Sequence, residues 1–371
     1  MTEPQLPQTA PEVFFQLLRI NEERKAREKD EVASEIGTAA LPLPDDLLAK
    51  VLGLFPATAK EVLREHPGFI LSERRSHYLA SLSIMRLAFD DLFALLISFE
   101  NLISTGKAEI TKLKNRNKLE TLELRIQKEL YATASAAASV VDHSRRLQKR
   151  FEFKQFRVQL GQAFGDDGLH DLIIGMRVLL HHLHMFKASW SEQRDFRTGV
   201  STGAFEVYKS DLEHAIDLHP ERFGGKKGKP LRDFVSGSPD RINLRFLFED
   251  YQKRFERFHK WMEGQLIVAA PEKLRDYDRC ILSVDQRSSR MMWDALIGNW
   301  LQWERIPSIH DYLQDYFDCE QLKEVYQLPR NSKEQADKII DFLDTFGAAD
   351  CEFRERVHQL FERLNAQEKG I

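Results

Sequence analysis

The chain has 371 residues, a formal net charge of −4 and three widely spaced cysteines. This charge excludes a generally basic nucleic-acid-binding protein but leaves room for a local basic patch. The cysteine spacing excludes a disulfide framework and a zinc knuckle. Residues 1–16 hold three prolines and no basic n-region, so no secretory signal is expected, and the most apolar window, residues 79–99, contains charged residues. We therefore expect a cytoplasmic protein with no membrane span.

The N-terminal region divides into an arm and two short helices. Residues 1–44 combine prolines with alternating charges over 19–31. This pattern predicts either a short solvated helix or an unfolded arm, and we expect weak order. Residues 45–54 and 57–65 are predicted to be helical, up to the helix-breaking sequence His66-Pro67-Gly68.

A two-helix hairpin is predicted for the middle of the chain. Residues 72–104 and 107–150 contain neither glycine nor proline, and Gly106 separates them. Two long antiparallel helices joined by a tight turn are typical of a helical bundle. The alanine-rich residues 132–138 would let a neighbouring helix approach closely.

Helices are also expected over residues 153–164 and 169–190. At about 100° per residue, the apolar residues of the second segment fall on one side of the helix. These apolar residues are Leu169, Leu172, Ile173, Met176, Leu179, Leu180 and Leu183. A core helix does not need Arg177 followed so closely by His181, His182 and His184, the densest group of near-neutral titrating side chains in the chain.

Glycines interrupt the pattern after this helix. Gly199 and Gly203 flank β-branched residues, which indicates a short β-hairpin within residues 194–208. A helix over 209–216 and a Gly/Lys loop over 222–232 follow. The loop lacks P-loop spacing, so it is either a solvated loop or a phosphate-backbone contact. The lysines of this loop are Lys226, Lys227 and Lys229.

Helices are predicted over residues 241–268 and 271–303, and Pro307, Pro329 and Gly347 divide the rest into short helices. Aromatic residues recur at helical spacing in both long segments, which indicates core packing more than base stacking. They are Phe246, Phe248, Tyr251, Phe255, Phe258, Trp261, Trp293, Trp300 and Trp303. The prediction is an all-α fold with a small β insertion and a C-terminal set of short helices.

A family resemblance runs through residues 72–268. After the hairpin come VVDHSRR at 140–146, FKQFRVQLGQAF at 153–164 and LHDLIIGMRVLLHHL at 169–183. This order resembles the bacterial branch of the HEPN family (higher eukaryotes and prokaryotes nucleotide-binding), whose signature is an arginine, four to six residues, and then a histidine. Arg177 matches the arginine, His182 follows after four residues and His184 after six.

The resemblance implies a HEPN-like helical bundle over residues 45–270, followed by a helical extension over 271–371. It also implies a homodimeric, metal-independent endoribonuclease of a bacterial toxin–antitoxin or phage-defence system, with RNA as substrate and a protein antitoxin as a further partner. Arg177 and His182, with His184 as substitute, would be catalytic. A histidine can transfer protons and a guanidinium can bind phosphate oxygens, so no cofactor is expected. No nearby Asp, Glu or Cys completes a metal-ligand set.

Two alternatives concern the residues around the signature. On an ideal helix His184 returns to within about 20° of Arg177 while His182 lies about 140° away, so family spacing and helix geometry favour different histidines. His143 or Arg146 could orient Arg177 or contact RNA. An i,i+4 pair between Asp142 and Arg146 is the more ordinary expectation.

Val178 is the main departure from the family pattern. The typical family form has a polar residue directly after the arginine, whereas this chain has valine. The competing hypothesis is therefore a non-catalytic HEPN-like module that binds RNA or a protein partner. The third hypothesis is a structural helical protein with no nucleic-acid role.

Overall fold

The computed structural model describes residues 10–39, 44–54, 59, 61–105, 109–181, 189–198, 200–368 and 370. In chain order the elements are α1 (Ala10–Thr38), α2 (Asp45–Leu54), α3 (Phe69–Ser104), α4 (Arg116–Phe151), α5 (Phe156–Phe164), α6 (Leu169–His181), β1 (Ser189–Arg194), β2 (Ser201–Tyr208), α7 (Lys209–Asp217), α8 (Pro220–Phe223), α9 (Gly225–Gly237), β3 (Arg241–Asn243), α10 (Leu244–Val268), α11 (Glu272–Trp300), α12 (Cys319–Tyr326), α13 (Lys333–Leu343) and α14 (Cys351–Glu368). The predicted all-α fold with a short β insertion is confirmed. Among the described helices, none combines the length and apolar character that a membrane span requires.

The chain forms two compact units. Unit 1 combines the chain up to Phe69 with the region from Glu272 onward, and unit 2 is Ile70–Pro271. Sequence analysis assigned residues 45–270 to one domain. In the structure α2 packs on α11, so α2 is grouped with the C-terminal helices.

The N-terminal segment contains a long helix, which agrees with the solvated-helix alternative and extends beyond residues 19–31. Its many Glu, Lys and Arg residues are good helix formers. Arg19 and Glu23 form an i,i+4 ion pair at 3.7 Å, and Arg287 of α11 contacts Glu28 at 3.3 Å. Val32 is buried. The alternating charges of residues 19–31 therefore lie within a helix.

The hairpin of α3 and α4 forms the framework of unit 2. Ala134 and Ala137 are fully buried, and the Thr133 hydroxyl donates a hydrogen bond to the Ala88 carbonyl of α3 at 3.2 Å. The expectation that this alanine-rich stretch permits close helix packing is thus confirmed. Helix α4 begins at Arg116, later than predicted, because two 3-10 turns precede it.

Helix α10 contributes four aromatic side chains to the core of unit 2. Phe248, Tyr251, Phe255 and Phe258 are buried as predicted. Phe246 is 66% exposed, so its assignment to the core was wrong. Its position two residues before Phe248 turns it away from the buried side of the helix.

A three-stranded antiparallel sheet with the order β1-β2-β3 follows α6. Trp190 pairs with Phe205 and Val207 with Ile242. The predicted helix over 169–190 was therefore wrong at its C-terminal end, and the helix predicted from residue 241 begins with strand β3. Strand pairing between distant segments overrides local helical periodicity here.

The predicted Gly/Lys loop over 222–232 is helical for most of its length. Helices α8 and α9 occupy this region, with Pro230 inside α9. Leu231 and Val235 are buried, and α9 packs on α6. Burial of this apolar face outweighs the poor helix propensity of glycine and proline.

Candidate functional site

An open cleft of about 350 Å³ lies in unit 2, between α4, α6 and α8. Its charged residues are Asp142 and Arg145 of α4, Arg177 of α6 and Arg222 of α8. All four side chains are exposed. The aliphatic residues that line it are Ala138, Val141, Ile174 and Val178. We call this site the arginine cleft.

Helical spacing explains which residues meet in the arginine cleft. The lining residues of α4 are separated by three, four and seven positions, and those of α6 by three and four. Such spacings lie on one face of a helix. Helices α4 and α6 pack directly against each other, so these two faces form adjoining walls.

In the described part of the chain, no carboxylate lies within ion-pair distance of Arg145, Arg177 or Arg222. Asp171 and Glu221 nevertheless interact electrostatically with Arg145 and Arg222, respectively. Three guanidinium groups and the single carboxylate of Asp142 give the cleft a net charge of +2. Arginine offers paired N–H donors that match phosphate oxygens. The arrangement can therefore bind an anion with several acceptor oxygens.

The start of α6 is held by a bend and an ion-pair network. Gly168 has φ +86°, and a Cβ there would lie 2.0 Å from the Pro230 carbonyl oxygen. Arg254 of α10 contacts Asp167 and Asp250, each at 2.8 Å. The Arg254 guanidinium lowers the pKa of Asp167. These contacts fix the direction in which α6 leaves the turn.

The close approach of α6 to α8 brings Arg222 to the cleft. A Cβ at Gly175 would lie 2.7 Å from Leu231 Cδ1 and 3.2 Å from Phe223 Cε1. Phe223 is buried, and Arg222 precedes it in α8. A small residue at position 175 therefore allows Arg222 to lie beside Arg177.

Arg177 occupies an exposed flank of α6, as predicted. The apolar side predicted for this helix is buried throughout its described part, Leu169 to Leu180. The proposed catalytic residues His182 and His184 lie outside the described residues, and His181 is the last residue of α6. Their assignment stays a prediction.

His143 and Arg146 do not line the arginine cleft. His143 is half-buried, its Nδ1 has no hydrogen-bond partner among the residues that the structure describes, and its ring centre lies 6.2 Å from that of His77. Burial, followed by the positive charge of Arg146, lowers the pKa of His143. The expected ion pair between Asp142 and Arg146 is not present among the described contacts; Asp142 faces the cleft instead.

The three lysines of the predicted loop are all exposed on α9. Lys229 forms an i,i+4 ion pair with Asp233, whereas Lys226 and Lys227 form none in the described part of the chain. The two unpaired lysines follow Arg222 by four and five residues. They remain candidates for phosphate contact.

Comparisons with protein-family models, with curated proteins and with solved structures found no match to this chain. Among the described residues, no group of three or more His, Cys, Asp or Glu could hold a metal ion. The arginine cleft is therefore the main structural evidence on function.

Sequence reasoning missed Arg145 and Arg222. The signal for Arg145 was present, because its three-residue distance from Asp142 puts both on one helical face. Arg222 carried no such signal, since only the packing of Phe223 against Gly175 brings it near Arg177.

Proposed function

We propose that this protein acts on RNA and that the arginine cleft binds the RNA phosphate backbone. The observation that carries the proposal is the convergence of Arg145, Arg177 and Arg222 from three helices, with no ion-pair partner among the described residues. Phosphate contacts supply most of the sequence-independent affinity for nucleic acids. A local basic cleft is compatible with the net charge of −4.

The resemblance of residues 72–268 to HEPN proteins supports RNA as the nucleic acid. It also suggests a metal-independent endoribonuclease of a toxin or defence system, which an RNA cleavage assay can test. In such a reaction Arg177 would stabilise the charge that develops on the phosphorane. A histidine from His182 or His184 would transfer protons to or from the ribose and leaving oxygens.

Binding is tested by fluorescence anisotropy with a short labelled single-stranded RNA in excess EDTA. Arg145→Ala, Arg177→Ala and Arg222→Ala should each weaken binding about tenfold, since a hydrogen bond to a charged group contributes about 1.5–3 kcal/mol. Arg157→Ala is the matched control. It removes the same charge from an exposed position on α5 outside the cleft lining, and should change the affinity less than about twofold.

Failure of the wild-type protein to bind RNA at low salt would contradict the proposal. So would equal loss of affinity in Arg157→Ala and the three cleft variants, because the cleft would then contribute only general charge. Circular dichroism of each variant verifies that the helical fold is retained.

Cleavage distinguishes an enzyme from a binding module. The endoribonuclease hypothesis predicts cleavage in excess EDTA, with 2′,3′-cyclic phosphate ends from attack by the 2′-hydroxyl. Arg177→Ala should lower the rate about 10²–10³-fold, and His182→Ala and His184→Ala, made separately, identify the imidazole that matters. RNA binding without cleavage would instead support the non-catalytic alternative, in which Val178 marks the loss of activity.

A further inference from the structure

We infer that Asp142 makes the arginine cleft selective for ribose by accepting a hydrogen bond from the 2′-hydroxyl of the bound nucleotide unit. This inference rests on the proposed function, because it takes phosphate binding by Arg145, Arg177 and Arg222 as its starting point. It assigns Asp142 a role in telling RNA from DNA.

Asp142 is an unpaired carboxylate within a cluster of arginines. Its side chain is exposed and lines the cleft. Arg145 lies one helical turn further along α4, yet the two form no ion pair, and Asp142 has no side-chain hydrogen bond among the described residues. Both carboxylate oxygens are therefore available to a ligand.

A carboxylate in a phosphate-binding cleft needs a donor on the ligand. An ionised carboxylate only accepts hydrogen bonds and repels phosphate. In RNA the 2′-hydroxyl is attached to the carbon next to the one that carries the 3′-phosphate. A ligand whose phosphate contacts the arginines therefore presents this donor in the same cleft. DNA lacks the donor and would leave Asp142 facing phosphate alone.

The other lining residues favour recognition of sugar and phosphate over recognition of a base. The uncharged part of the described lining is aliphatic, formed by Ala138, Val141, Ile174 and Val178. Proteins that hold single-stranded bases commonly stack them on aromatic side chains. We therefore expect the cleft to show ribose selectivity with little sequence preference.

The test compares three probes of one sequence by anisotropy in EDTA: RNA, fully 2′-fluoro RNA and DNA. The 2′-fluoro probe keeps the sugar pucker of RNA but has no hydroxyl donor and cannot be cleaved through the 2′ position. Wild-type protein should bind RNA about tenfold more tightly than 2′-fluoro RNA, as expected for one hydrogen bond to a charged group. Competition by adenosine 3′-monophosphate and its 2′-deoxy counterpart against the 2′-fluoro probe repeats the comparison without a cleavable bond.

Asp142→Ala should reduce the preference for RNA to below about twofold. Its affinity for 2′-fluoro RNA should rise, because the repulsion between carboxylate and phosphate is removed. Asp90→Asn is the control, since it neutralises an exposed carboxylate of α3 outside the cleft lining. It should leave the RNA preference unchanged.

Two results overturn the inference. In the first, wild-type protein binds all three probes with equal affinity while Arg177→Ala lowers the affinity for each of them. The cleft would then bind phosphate without selecting ribose. Alternatively, the RNA preference could persist in Asp142→Ala, which assigns ribose recognition to another residue. If Arg177→Ala weakens none of the probes, the proposed function itself fails.

Discussion

The hydroxyl of Tyr78 and Nδ1 of His259 lie 2.7 Å apart in the buried interior of unit 2. A second pair, Tyr251 and His170, has its hydroxyl and Nδ1 3.2 Å apart. Burial is the main cause that lowers the pKa of His259 to about 3 and that of His170 to about 4. Both histidines are therefore neutral in the folded protein near neutral pH.

These two histidines predict a loss of stability in mild acid. In the unfolded chain a histidine has a pKa near 6.5, so as the pH falls the unfolded state takes up protons that the folded state does not. The contribution of these neutral histidines to the free energy of unfolding is fully present above pH ~6.5. It decreases as the pH falls toward the pKa values of the folded state. Between pH 7.5 and 5.0 each histidine should lower the free energy of unfolding by about 2 kcal/mol.

Urea unfolding at the two pH values measures this effect. His170→Gln and His259→Gln should each reduce the acid-induced loss by about 2 kcal/mol, whatever their effect at neutral pH. His214→Gln, at an exposed position of α7, is the control and should leave the loss as in the wild type. If the acid-induced decrease in the free energy of unfolding is unchanged in both His170→Gln and His259→Gln, other groups cause the acid sensitivity.

Gly168 is expected to be essential for the entry into α6. Gly168→Ala should destabilise the protein by about 1–3 kcal/mol, since the residue has positive φ and its Cβ would meet the Pro230 carbonyl. Gly161→Ala is the matched control because its Cβ would contact nothing within 4 Å. Within helix α5 it should stabilise the protein by about 0.5–1 kcal/mol. Thermal unfolding of both variants measures whether the two changes in stability have opposite signs. Equal changes would contradict the claim that position 168 requires glycine.

Arg86 of α3 joins two carboxylates of α10. Its guanidinium nitrogens lie 2.9–3.0 Å from Glu256 and 3.1–3.2 Å from Glu263. Arg86→Ala should lower the free energy of unfolding by about 1–2 kcal/mol, because paired bidentate contacts exceed an ordinary surface ion pair. Arg116→Ala breaks an exposed pair with Glu120 within one helix and should cost less than about 0.5 kcal/mol. Urea unfolding measures the free energy of unfolding of both variants. An equal decrease in the two would show that the Arg86 contacts contribute no more than an ordinary surface ion pair.

The exposed lysines of α9 should extend the phosphate-binding surface. Replacing Lys226 and Lys227 together with glutamine should weaken RNA binding and reduce the slope of log affinity against log salt by about 1.4, or about 0.7 for each lost phosphate contact. Lys229→Gln should change the slope less, because Lys229 is already paired with Asp233. Anisotropy titrations at several salt concentrations measure the slopes. An unchanged slope in the double variant would remove α9 from the RNA surface.

A homodimer is expected from the HEPN resemblance, with the helix of residues 169–187 at the interface. The buried apolar side of α6 is used within its own unit, so the interface would involve the flank that carries Arg177. Light scattering at micromolar concentration should give twice the mass of the 43.2 kDa chain. A monomeric mass would exclude a composite site formed by two copies of Arg177.

Much of the helical architecture could be predicted from the sequence because it depends on local pattern. The absence of glycine and proline from residues 72–104 and 107–150 predicted the hairpin. The apolar spacing of residues 169–180 likewise predicted the buried side of α6. The same periodicity put Arg177 on an exposed flank, where it lies in the structure.

Only the tertiary structure decided which residues line the cleft together with Arg177. Local pattern assigned a loop to residues 222–232, but helix packing overrode it. Local pattern also assigned an ion pair to Asp142 and Arg146, which is not present among the described contacts. Burial of Leu231 and Val235 makes α9 helical, and the approach of Phe223 to Gly175 brings Arg222 to the cleft. Such contacts join residues about 50 positions apart. Their free energy depends on the shape of both partners, which spacing along a single segment does not encode.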